Sequence, residues 1–547
     1  MSIGQLLNIG RSALQAAQMG LQVTGNNIAN VNTPNYSRQI VSLTEGVVVS
    51  MGGVPVGTGV QVEGVQRIYD SFLGVQIRNA NAGVEDYGLR EQSYARIESI
   101  LYPSETSNLG TLMDDFFNAW QDLAGNPSGS AERQVTLSRA EDLIANLRSL
   151  SGSFDEEIRN TNTLLEGYAE EITRLASEVA DLNGEILRNQ GVRSSPNDLL
   201  DRRDALLSEL SGYVDVTVVE QDRGVVSVLV SGGQPLVDGT TSYGLELVPD
   251  LDNHNFYRML IRGNDVTESI QGGKVKGVLE TRVQMVGFQE DVDLLAATLV
   301  QEFNAVHSSG VGLDGQTGRD FFSPLQVTAS PLSGNQGGAE VSLQEIVDSS
   351  RLTLDDYEIR FTGPGTYDVL NTTQGTVVAG DQVYAEGSAI EFDGLRIALS
   401  DSNGPPVEGD RFRISVKEGM AQTIALQIED PAEIAAAQDP NALPGDNRNA
   451  LALADLRNAK ILREDSVTFG GFYESLVMGI GSLVQDASRM GESKQVLYES
   501  MESYRESVSG VSLEEEEIRL LSFQHAYQSA AKYLAVLDEV FQELFDL

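Results

Sequence analysis

A chain of 547 residues is longer than one hydrophobic core usually holds, so several domains are expected. Its 80 acidic residues against 37 basic ones give a formal net charge of -43, a surface that repels phosphate backbones and argues against sequence-independent nucleic-acid binding. With no cysteine and three histidines, disulfides, thiolate metal sites and cysteine nucleophiles are excluded, and a histidine-based metal or triad site has little to draw on. No run of about 18 uncharged apolar residues suggests a membrane span. The N-terminus shows no basic-then-apolar leader.

The first helix is marked by alternating steps of three and four: Ile3, Leu7, Gly10, Leu14, Ala17, Leu21, Thr24, Ile28 and Val31. Such spacing keeps one stripe facing one partner. Gly10, Ala13, Ala17 and Gly20 permit close helix approach. Asn32-Thr33-Pro34-Asn35 should end the helix, because a residue before proline is pushed from the helical region. Asn35 tolerates a left-handed backbone. Residues 47–68 read as short strands and turns. Helical spacing returns at Tyr87, Tyr94, Ile97 and Leu101, then at Leu112, Phe116, Trp120 and Leu123.

From about 131 to 190 the pattern predicts one helix of roughly 90 Å, with Gly152, Gly167 and Gly184 as places where it could break. Asp198–Leu207 reads as a surface-laced helix in which Asp201, Arg202, Arg203 and Asp204 pair among themselves. The period then changes to two, with Val214, Val216, Val218 and Val226, Val228, Val230, as in antiparallel sheet. Gly272-Gly273-Lys274 is a turn and not a phosphate loop, since Glu268 stands where that motif needs its first glycine. Helical spacing resumes from Val275 to His307. Asp314 to Asp320 lacks the acidic twelfth residue of a calcium loop, the position held by Leu325. His307 is expected to be a hydrogen-bonded structural residue. Residues 320–418 form a second β-rich region, and 447–509 is again helical.

The last stretch has the longest seam: Leu513, Glu516, Leu520, Phe523, Tyr527, Ala530, Leu534, Leu537, Phe541 and Leu544. All but Glu516 are apolar. Ser512 with Glu515 fits a capping box, and the helix would be roughly 45 Å long. Phe541, Leu544, Phe545 and Leu547 sit at its end without a polar tail, so this end expects a partner.

The two ends and four interior stretches carry a family resemblance. Ser12–Gln18, Thr24–Pro34 and Tyr36-Ser37-Arg38 resemble the N-terminal signature of the bacterial flagellar axial proteins, the rod, hook and hook-associated proteins. Asn35 stands where that family commonly has glycine. Gly510–Leu513, Leu520, Gln524, Ala526-Tyr527-Gln528 and Ala530-Ala531-Lys532 resemble its C-terminal signature, with Ser512, Glu514 and Arg519 as departures. Asp198–Leu207, Asn304–His307 with Asp320-Phe321-Phe322, and Asn447–Ala454 are similar to the hook-associated branch.

The expected fold is α+β multidomain. Amphipathic terminal helices pair as a coiled coil (1–45 and 510–547). A long-helix bundle comes from 46–210, 281–310 and 441–509, and β-rich outer insertions from 211–280 and 311–440. The resemblance implies a structural, non-enzymatic adaptor between the flagellar hook and the next junction protein, with no cofactor or metal. It also implies type III export to the cell exterior, a ring or tube of identical subunits, and an export chaperone on the C-terminal helix. The expected assembly residues are Ile3, Leu7, Leu14, Leu21, Asn27, Ile28 and Asn30 at one end. At the other they are Leu513, Leu520, Phe523, Tyr527, Leu534, Leu537, Phe541 and Leu544. A hook or distal-rod subunit is the alternative. An enzyme is the other rival, without any constellation of carboxylates, metal ligands or nucleophiles to support it.

Overall fold

A computed structural model describes residues 3–51, 54–189, 196–230, 232–363, 365–463 and 465–545. Among the described residues ten helices run in chain order: α1 (Ile3–Ala29), α2 (Ser71–Leu101), α3 (Leu109–Gly125), α4 (Ser130–Asn189), α5 (Asn197–Tyr213), α6 (Gly273–Ser309), α7 (Met420–Thr423), α8 (Arg448–Asp455), α9 (Phe469–Ser509) and α10 (Leu513–Phe545). α9 lies along α2, and α10 lies along α1. The chain therefore leaves and re-enters the molecule at the same end. α4 is continuous over 60 residues. Its glycines at 152 and 167 face open space, so they cost some helix propensity without breaking the rod.

Three cores hold the chain. The bundle core joins α2, α3, the first half of α4, α6, α8 and α9. The first β insertion packs a four-stranded and a three-stranded antiparallel sheet, built from residues 216–265, against the second half of α4 and the start of α6. The outer β domain stacks a five-stranded sheet on a three-stranded one over Val327–Val416. Three boundaries differ from the expected domain limits. The hairpin Gln39–Glu45 with Val60–Arg67 leans on α1 and on the start of α5, where Asn197 Nδ2 donates to Val65 O at 3.2 Å. α6 begins at Gly273, and its Val275 and Val278 complete the insertion core. Residues 417–440 return to the helices, placing Met420, Ile424, Ile428 and Ile434 in the bundle core. Apolar runs alone do not reveal which of two adjacent cores they fill.

The interior motifs are packing devices. Asn304 accepts from the backbone N–H groups of Phe321 and Phe322 at 3.0 and 2.9 Å and donates to Phe322 O at 2.9 Å. This seats Phe321 and Phe322 among Phe116, Trp120 and Phe303, with ring centroids 4.9 to 6.4 Å apart. Asn449, fully buried, donates to Ala435 O at 2.7 Å, and Asn447 donates to Ala124 O at 2.7 Å. His307 is fully buried; its Nδ1 lies 2.8 Å from Arg319 O, and Nε2 accepts from Ala435 N–H at 2.9 Å. These partners require the neutral ring protonated at Nδ1.

Burial pushes the His307 pKa down from 6.5 to about 4. The unfolded chain then binds the extra proton between those values, so this contribution is full above pH 6.5 and is lost as pH falls toward 4. It amounts to about 3 kcal/mol. Asp293, raised by burial to about 6, acts with the opposite sign in the overlapping range, so the histidine term is isolated by comparison with a variant. Between pH 7 and 4.5 wild type should lose stability relative to His307→Gln. Urea unfolding followed by the fluorescence of Trp120, the single tryptophan, reads this directly. Parallel pH profiles would contradict it.

Candidate assembly interface

The spacing on α10 is reproduced in space. Glu516 and Ala530 are buried, and Leu520, Phe523, Leu534, Leu537 and Phe541 are half-buried along one side. Leu513 and Tyr527 sit at the margin, 43% and 37% exposed. Gly10 and Gly20 of α1 are where the two helices come closest. A β-carbon at Gly10 would stand 2.5 Å from Leu534 Cδ2, and one at Gly20 2.5 Å from the Phe523 ring. Small residues thus let the larger side chains of α10 lie on the α1 backbone.

On α1 the register departs from the spacing. The buried line is Gly10, Ala16, Ala17, Gly20, Val23, Thr24 and Asn27. Leu14, Leu21 and Ile28 stand half-buried at its border, and Leu7 is exposed. α1 serves two neighbours, α10 and the hairpin, which touches it where Gly59, at φ 109, meets Ile9 and Ser12. A single-partner stripe therefore misplaces the leucines. The side chains of Ile3, Leu544 and Phe545, and residue Leu547, lie outside the described residues.

Below the seam lies a polar knot. Asn27 uses its whole amide: Nδ2 donates to Gln39 O at 2.9 Å and Glu516 Oε2 at 3.0 Å. Its Oδ1 accepts from Tyr36 OH at 2.9 Å and Gln39 N–H at 3.0 Å. Arg38 Nε donates to Glu516 Oε1 at 2.8 Å, NH1 reaches Glu515 at 2.7 Å, and the Arg38 N–H donates to Ser509 O at 2.9 Å. Glu516, the one charged residue in the seam, is 1% exposed. Burial pulls the Arg38 pKa down, but the bonds from Glu515 and Glu516 outweigh this and hold it above the usual arginine value. Burial, then Asp201 and Glu516, push Tyr36 up to about 12. Asn35 adopts φ 59, which turns the chain from α1 into this knot. Asn30 instead closes on its own helix, donating to Asn26 O at 2.9 Å. Ser512 accepts from Glu515 N–H at 3.4 Å, but the Glu515 side chain goes to Arg38 and not back to the cap.

The charged helix α5 joins the same knot and is not a solvated surface. Asp201 and Arg203 are buried, and the pairing within the run does not form. Arg67 of the hairpin binds Asp201 at 2.8 Å and Asp204 at 2.6 Å, and Asp201 accepts from Ser37 N–H at 3.2 Å. Arg203 donates to Asn183 Oδ1 and Gly224 O at 3.0 and 2.7 Å, and Arg202 is exposed. For Asp201 and Asp204, partners more than a hundred residues away outcompete neighbours whose side chains project in different directions from the helix, and for Arg203 partners about twenty residues away do so.

α10 has a second apolar side. Ile518, Leu521, Val536 and Val540 are 68, 54, 57 and 46% exposed. Ile518 and Val536 lie about five turns apart and so point the same way, roughly opposite the seam on α1.

Residues 94–322 match a family model described as the flagellar hook-associated protein FlgK helical domain, and residues 7–36 match that of the flagella basal body rod protein. Flagellar hook-associated protein 1 of Salmonella typhimurium is 30% identical over 564 residues, covering all of both chains. The Bacillus subtilis protein of that name is 26% identical over 99% of this chain and 97% of its own. The solved structure of the flagellar hook junction protein FlgK from Burkholderia pseudomallei superposes with a TM-score of 0.68, covering 80% of this chain and 100% of that one at 22% identity. With full-length identity at this level and both terminal and helical segments matched, the chain belongs to the flagellar hook-associated protein 1 family.

Proposed function

We propose that this chain is a structural, non-catalytic subunit of the flagellar hook–filament junction, and that its paired terminal helices are the assembly element. The observation that carries this reading is α10 itself. One apolar side is covered by α1, while the other, at Ile518, Leu521, Val536 and Val540, is left in water. A soluble monomer has no use for such a face, whereas a subunit packed beside its own copies does. Heterologous contacts repeated around an axis give a ring or helical tube. The bundle then forms a second shell and the β insertions point outward. The partners that fit are identical copies, the hook protein and the next junction protein. Before assembly, a chaperone on α10 would cover the same side, and type III export would deliver the chain outside the cell.

The test is location. Labelling the exposed outer β domain on intact flagella should mark the hook–filament boundary and leave the hook and filament lengths bare. Label along the whole hook would instead favour a hook subunit.

A further inference from the structure

The outer β domain is mounted on the bundle at two separate points. One is its stalk, where the chain enters near Leu325 and leaves through Val416 to Gly419. There Leu325 and Leu354 touch both the bundle core and the outer core. Gln301 donates to Leu352 O at 3.1 Å, and Lys417 Nζ to Leu354 O at 3.1 Å. The other point is the turn 251–255 of the first insertion. Asp252 accepts from the backbone N–H of Ser333 at 2.7 Å and from its hydroxyl at 2.6 Å, while Arg413 donates to Asp252 O at 2.7 Å. Among the described residues these are the hydrogen bonds between the two β domains. Between the two mounts lies an open cleft of about 730 Å³, with Asp155 and Glu290 on the helical wall and Tyr357 and Arg411 on the sheet wall.

The turn is itself held from behind. Asn162 of α4 donates to Asn255 O at 3.0 Å, and Arg282 of α6 reaches Asn162 Oδ1 at 2.6 Å and Tyr257 O at 3.2 Å. His254 and Asn255 take φ of 50 and 55, a conformation that keeps the turn tight and aims Asp252 outward. A thin stalk interface by itself leaves domains free to move. A second, charge-assisted mount removes that freedom.

We propose that the turn carrying Asp252 is a strut running from α4 to the outer β domain, that it sets this domain's angle on the bundle, and that its release lets the domain pivot about the stalk. This does not depend on where the protein sits in the flagellum. Because the chain has no cysteine, Val135→Cys on α4 and Val383→Cys on the outer domain, 49 and 81% exposed, provide a clean dye pair in the full-length protein. Energy transfer should report one narrow distance distribution in the otherwise wild-type chain. Asp252→Ala should broaden it, and Asp252→Ala with Arg413→Ala should broaden it further. Asp252→Asn, which keeps an acceptor for the Ser333 N–H and can still bond the hydroxyl, should stay narrow. An unchanged distribution in the double variant overturns the proposal, as does equal broadening by Asp252→Asn. Unaltered circular dichroism separates pivoting from unfolding; if the alanine variants unfold, Ser333→Ala, which removes one bond only, must broaden the distribution for the strut to stand.

Discussion

Leu534→Asp and Val536→Asp should both abolish junction assembly, yet by different routes. Leu534 lies on the α1 backbone at Gly10, so a carboxylate there is driven into a half-buried apolar contact. The lost contact and the misplaced charge should cost about 2–4 kcal/mol, and α10 should part from α1 in the monomer. Val536 is 57% exposed on the opposite side, so its replacement leaves the helix pair intact and removes only the surface offered to a neighbour. Amide exchange on the purified monomer should therefore rise along 520–541 for Leu534→Asp and stay at wild-type levels for Val536→Asp. Neither should unfold the β domains, whose cores draw no residue from the terminal helices. Normal filaments on cells carrying either variant would show that the terminal pair is not the assembly surface.

Glu516→Ala should be the most damaging single change at the polar knot. It strands Arg38, 8% exposed, with only the solvent-facing Glu515 as a counterion, and it removes one acceptor from Asn27. Removing one partner of a buried pair costs about 3–5 kcal/mol, because the remaining charge stays desolvated. The effect should be local. The first turns of α10 and the Tyr36–Gln39 segment lose their anchor, and exchange there should quicken on the order of a hundredfold or more. Glu516→Gln retains an acceptor for Arg38 but sets an amide N–H group against Asn27 Nδ2, so it should fall between wild type and alanine. If the alanine variant exchanged like wild type, the knot would not be what ties the terminal pair to the bundle.

The outcome at particular residues separates what spacing can reveal from what it cannot. A helix with one principal partner writes its seam in steps of three and four: on α10 Glu516, Leu520, Phe523, Ala530, Leu534, Leu537 and Phe541 line the side against α1, while Leu513 and Tyr527 stand exposed at its margin. The left-handed turn at Asn35 and the continuity of α4 follow from local backbone chemistry. α1 is misread by a fraction of a turn because it answers to both α10 and the hairpin. The charged run on α5 is misread because its partners, Arg67 and Ser37, come from far up the chain. The join at Met420–Ile434 is misread because two cores meet there.

Taken alone, the order of residues determined the element types, the amphipathic character of the two ends and the absence of thiol or thiolate-metal chemistry. Each of these depends on neighbours within a few turns. The tertiary structure decided which charges pair, which side of α10 remains uncovered, and how the outer domain is braced through Asp252. These depend on groups tens to hundreds of residues apart meeting in a low-dielectric contact, where a single well-aimed hydrogen bond outweighs any local preference.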